Sequence, residues 1–167
     1  MRVPWPWVIA IFGFLLSIRG EQKRGFSLVA IWRETLDLFL TQILAVTLYH
    51  SFLRWSTATS VIEEFGFLIL WTLIYLIAKY QKKPDLFLIT AVLITHAVVQ
   101  VCEGWLIQSS LLLVIASGLF IFQAAFKGLR RAILFSGIPP AMKGWPVLCL
   151  IAFCISVVMS GILDILF

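Results

Sequence analysis

The last 23 residues, Trp145 to Phe167, constrain this chain more than any other stretch, because they contain a single ionisable side chain, Asp164. At about 1.5 Å per helical residue, such a run exceeds a hydrocarbon core roughly 30 Å thick. The expected form is a transmembrane helix, with Trp145 at the interface and Lys143 just outside it. Ahead of it, Pro139 and Pro140 lack the backbone N–H a helix interior needs, and Lys143-Gly144 reads as a polar hinge.

The rest of the chain repeats this character. With 62% hydrophobic residues, 13% charged and a mean hydropathy of +1.04, it has too little polar surface to clothe a water-soluble core. The fold class expected is an all-α integral membrane protein: one polytopic domain over residues 1–167, with loops too short to fold alone. The N-terminus opens like a signal peptide, but Ser17-Ile18-Arg19 lacks the small-x-small cleavage pattern, so the segment is expected in the mature chain.

Six apolar segments are expected. The first, Val3 to Ile18, is 16 residues long, with Pro4 and Pro6 confined to its first turn, so it falls short of a full crossing. The second runs from Leu28 to Leu53, and the third from Glu63-Glu64 to Tyr80. The fourth spans Leu86 to Val101, the fifth Leu106 to Phe126, and the sixth is the C-terminal run. Ser109, Ser110, Ser117 and Gly118 in the fifth segment are small residues suited to close helix contacts.

Charge then orients the segments. Arg19, Lys23 and Arg24 precede the second segment, and Lys79, Lys82 and Lys83 the fourth. Lys127, Arg130, Arg131 and Lys143 precede the sixth, so three expected loops hold ten of the chain's 13 basic residues. Basic loops alternate with neutral ones, which predicts six crossings with both termini outside. The formal charge of +5 is thereby explained without nucleic acid.

Candidate chemistry is sparse. There is no nucleophile with an oriented base, no pair of acids at catalytic spacing and no phosphate-binding glycine loop, so no catalytic residue is assigned. Cys102, Cys149 and Cys154 show no CxxC spacing and read as buried thiols acting as small hydrophobes; no metal ligand is assigned. An ionisable residue inside a membrane segment marks a candidate site, which singles out His96. The alternative is a neutral imidazole hydrogen-bonded to Thr95, a serine or a helix carbonyl. Glu34 and Asp37 either line an ion path or pair locally, since Arg33 and Asp37 are four apart on one helical face.

Several stretches resemble a known family. Ile138-Pro139, Lys143-Gly144, Pro146 and Ser160-Gly161 follow the order found at the C-terminal end of the six-helix membrane subunits of the Rnf/Nqr family. The closest likeness is to the Rnf A-type or Nqr E-type subunit. Phe12, Leu15, Gly20, Lys23 and Arg24 fall in register with that family's first cluster motif, and Leu93, Ile94 and Thr95 with its second. In the family both motifs lie on broken helices, and each brings a cysteine to an iron–sulfur cluster shared with a partner subunit. Here Leu16 and Val98 occupy the two cysteine positions, and Ser17 stands where the family has proline. An aliphatic side chain has no lone pair for iron.

What the resemblance implies is an inverted-repeat fold whose first and fourth segments are broken or re-entrant. The chain would sit in a bacterial cytoplasmic (inner) membrane as a subunit of an ion-translocating electron-transport complex. It would build structure or an ion path beside a homologous subunit of opposite orientation, binding no cofactor itself; an iron–sulfur cluster would be held only through partner subunits. The candidate path residues are His96, Thr95, Ser17, Asp37 and Glu34. Two other readings stay open: a small transporter or channel protomer using Ser17, Thr95, His96 and Gln100 at the midplane, or a membrane assembly factor.

Overall fold

The computed structural model describes residues 5–19, 27–55, 59–81, 85–134, 137 and 145–166. Among them the protein is all-α, with six helices and no strand: α1 (Trp5–Arg19), α2 (Leu28–Trp55), α3 (Thr59–Tyr80), α4 (Asp85–Val101), α5 (Trp105–Leu134) and α6 (Trp145–Leu166). The expected loop residues Gly20–Gly25 and Lys82–Pro84, and the Lys143-Gly144 hinge, lie outside the described residues.

Local chemistry explains the boundaries. Pro6 and Pro146 occupy the first turns of α1 and α6, where a missing N–H costs no helical bond. Ser27 caps α2: its carbonyl accepts the Ile31 N–H at 3.2 Å and its hydroxyl oxygen lies 3.4 Å from the Ala30 nitrogen. Asp85 opens α4 at the positive end of the helix dipole. Between α4 and α5 the chain turns in three residues. The Cys102 N–H closes on the Val98 carbonyl, Gly104 takes a φ of 91°, and its carbonyl accepts the Gln108 N–H at 3.1 Å. A Cβ at that φ is strained, which is why glycine stands there.

The helices form two compact units. One comprises Met1–Arg33 and Ser117–Phe167: α1, the first turns of α2, the second half of α5, and α6. Within it α1 packs on α6. Gly13 admits the Phe122 ring so closely that a Cβ would stand 2.5 Å from its Cδ1, and Gly118 admits Ile9 in the same way. Phe14 meets Phe126 edge-on with centroids 5.5 Å apart, and Trp32 meets Phe120 at 5.3 Å. The contacts Ile9–Gly118, Gly13–Phe122 and Phe14–Phe126 rise together in number, so α1 and this half of α5 run parallel.

The other unit is Glu34–Ala116: most of α2, then α3, α4 and the start of α5. Here α3 packs on α4, and Gly66 of α3 admits the Tyr49 ring of α2. A polar clasp ties the end of α2 to the α4–α5 turn. His50 Nε2 lies 2.7 Å from Gln108 Oε1, the Gln108 amide donates to the Cys102 carbonyl at 2.7 Å, and the Trp105 indole donates to the Thr47 hydroxyl at 3.0 Å.

The two halves of the chain follow one plan. Helices α1 to α3 contain 15, 28 and 22 residues, and α4 to α6 contain 17, 30 and 22. Burial repeats as well as length. In α2 the buried positions are Ile31, Thr35, Leu38, Thr41, Gln42, Ala45, Val46 and Tyr49; 77 residues later, Gln108, Leu112, Ile115, Gly118, Leu119, Phe122, Gln123 and Phe126 of α5 are buried in turn. Between α1 and α4 the shift is 78 residues. Ile9, Gly13, Leu16 and Ser17 are buried like Phe87, Ala91, Ile94 and Thr95, while Trp7, Ile11 and Leu15 are exposed like Asp85, Ile89 and Leu93.

Two expectations are corrected in detail. The fifth helix continues past Phe126 to Leu134, so Lys127, Arg130 and Arg131 stand on helix and not in a loop. The run Lys-Gly-Leu-Arg-Arg-Ala-Ile-Leu holds one weak helix former, Gly128, and nothing that stops a helix. Helices α1 and α4, expected to be broken, are short and uninterrupted over their described lengths.

Candidate functional site

Leu16 and Val98, which stand at the family's cluster-cysteine positions, each lie three residues before the last residue of their helix, in α1 and α4 respectively. Both are buried, at 3% and 0% exposure. An aliphatic side chain there supplies packing and no ligand, so these residues do not fit an iron–sulfur cluster. Among the described residues, no group of three or more His, Cys, Asp or Glu could hold a metal ion.

Ser17 follows Leu16 on α1, fully buried, and donates its hydroxyl to the Gly13 carbonyl at 2.6 Å. Thr95 on α4 is likewise buried and donates to the Ala91 carbonyl at 2.7 Å. Each hydroxyl thus spends its one proton on its own helix, which lets a short polar side chain sit in an apolar interior. Ser17 belongs to the first unit, whereas Thr95, His96, Asp37 and Glu34 belong to the second.

His96 departs from the hydrogen-bonded alternative. The Thr95 hydroxyl is committed to Ala91, and His96 Nδ1 is buried with no hydrogen-bond partner. The ring packs against Phe67 at 4.4 Å and Trp71 at 5.5 Å between centroids. Phe14 of α1 is likewise half-buried and packed on an aromatic ring. His96 therefore fills an aromatic slot.

Glu34 and Asp37 are half-buried near the start of α2. The Asp37 carbonyl accepts the Thr41 hydroxyl at 2.8 Å, and the same hydroxyl oxygen lies 3.3 Å from Gln81 Oε1. Gln100 is exposed. The cysteines depart from expectation: Cys102 is half-buried, while Cys149 and Cys154 are exposed on α6. Leu150, Phe153 and Val157 are exposed on the same helix, and a thiol suits such an apolar outer surface as well as it suits a core.

The residues that sequence reasoning missed are glutamines. Gln42 on α2 is 1% exposed, and its Nε2 has no partner. Gln123 on α5 is fully buried, with neither Nε2 nor Oε1 satisfied. Neither lies in the motifs that carry the family resemblance, although an amide in a long apolar segment is itself a signal. No protein-family model, curated protein or solved structure matches this chain.

Proposed function

We propose that the chain is a six-crossing subunit of an Rnf/Nqr-like ion-translocating electron-transport complex in a bacterial cytoplasmic membrane. It forms structure or an ion path, carries no redox centre of its own, and works beside a homologous subunit of opposite orientation. The observation that carries this reading is the burial of Leu16 and Val98: the resemblance picks these two positions from short motifs, and each is buried three residues before the last residue of its helix.

The membrane half of the reading draws on the helix surfaces. Trp105–Ile133 is long and apolar enough to cross a bilayer, and the described parts of α1, α3, α4 and α6 include shorter apolar stretches. On α2, Leu36, Leu40, Leu44 and Leu48 form an exposed stripe at four-residue spacing. Exposed apolar area of this kind suits contact with lipid or with a membrane partner. Three crossings per half would give the halves opposite orientations, the arrangement of inverted-repeat transporters.

The test is to purify the tagged chain in mild detergent, identify every co-purifying polypeptide by mass spectrometry and measure iron. Redox subunits in fixed ratio, with no iron on the separated chain, are expected. Isolation alone or as a homodimer would move the chain to the small-transporter reading, and stoichiometric iron on the separated chain would overturn the absence of a redox centre.

A further inference from the structure

We infer that the Gln123 amide holds a buried water molecule inside the unit formed by α1, α6 and the second half of α5. Gln123 is fully buried, and both ends of its amide lack a partner. Exchanging the assigned oxygen and nitrogen does not help, since neither is satisfied. Buried polar groups in folded proteins are nearly always paired, and an orphan of this kind calls for a partner such as water.

The neighbours do not supply that partner. Among the described residues, the other buried polar side chains of this unit are Ser17 and Ser156, and both donate to carbonyls of their own helices, Gly13 and Ala152. Phe122, one residue earlier, fills the seam left by Gly13, and Phe126 stacks beside it. What remains must accept from Nε2 and donate to Oε1. Water does both.

A bare cation fits less well. It would satisfy Oε1 and leave Nε2 orphaned, and no buried carboxylate stands among the described residues to offset its charge. The second unit bears a related signature in Gln42, fully enclosed with an unpartnered Nε2. One long helix of each half thus carries a buried amide. This inference does not depend on the redox reading; it gives the helix packing a polar, hydrated step that an apolar seam would lack.

X-ray radiolytic labelling of the whole chain in nanodiscs, after rapid mixing into oxygen-18 water, tests it. Hydroxyl radicals formed from an internal water oxidise adjacent rings, so Phe122 and Phe126 should be labelled despite their burial and should retain oxygen-16. In Gln123→Leu that labelling should fall to background. Should the variant fail to fold, the wild-type protein decides: no oxidation of Phe122 or Phe126, at doses that oxidise exposed Phe153, overturns the proposal. A sodium-dependent rise in Tm that Gln123→Leu abolishes, without such labelling, overturns it in favour of a cation.

Discussion

Gly13 and Gly118 are both helical and both closed in, yet they should respond differently to the same added methyl. At Gly13 a Cβ would meet Phe122 Cδ1 at 2.5 Å and Cγ at 2.9 Å, and that ring is fully buried and stacked on Phe126. At Gly118 the obstacle is Ile9 Cδ1 at 2.8 Å, the far end of a flexible side chain. Gly13→Ala is therefore expected to cost about 1–3 kcal/mol, as overpacking does. Gly118→Ala should fall within about 1 kcal/mol of neutral, because the gain in helix propensity offsets the displaced methyl. Thermal unfolding in detergent compares the two; equal losses would mean that Ile9 is as rigidly held as Phe122. At this scale the sequence was partly legible. It singled out His96 as an ionisable residue and Ser17 and Thr95 through the family resemblance, but the choice between a polar site and packing depended on where each proton goes. Gln42 and Gln123 were missed because they lie outside the motif stretches, and which long-segment amides are enclosed depends on the helix packing.

Among the elements, α5 reaches furthest. Its 30 residues span about 45 Å, against a hydrocarbon core of about 30 Å, so on the membrane reading roughly ten residues stand outside. The cations Lys127, Arg130 and Arg131 lie in that overhang at the helix C-terminus, where the dipole favours positive charge. Sequence reasoning had ended the helix at Phe126 because cations mark loops in membrane chains. Lys, Arg, Ala and Leu are nonetheless good helix formers, and hydropathy reports where the bilayer ends, not where the helix does. Gly128 tests the difference. A Cβ there meets nothing within 4 Å, so Gly128→Ala should raise stability by about 0.8–1 kcal/mol. Gly128→Pro should lower it by about 3 kcal/mol by removing a helical hydrogen bond. Near-neutral values for both would return residues 127–134 to a loop. The helix cores were the readable part, since a long apolar run announces itself. The interruptions expected in α1 and α4 came from the family resemblance, and Gly13 alone, held against the Phe122 ring, does not break α1.

For the whole molecule, the deciding question is whether α4 crosses the membrane. Its 17 residues span about 25 Å, so a crossing would require local thinning of the bilayer at a fraction of a kcal/mol per Å of mismatch. If α4 instead dipped in and returned, α5 would begin on the basic side and carry Lys127, Arg130 and Arg131 outward, with Lys143 following. That arrangement would set four basic residues against the positive-inside rule to avoid a modest mismatch. Thinning is the smaller penalty, so α4 should cross. Reporter fusions after Gly104 and Gly137 read this directly. A reporter active only outside should work at Gly104, and one active only in the cytoplasm should work at Gly137. The reverse pattern would make α4 re-entrant and would remove the opposite orientation of the two halves on which the inverted-repeat reading depends.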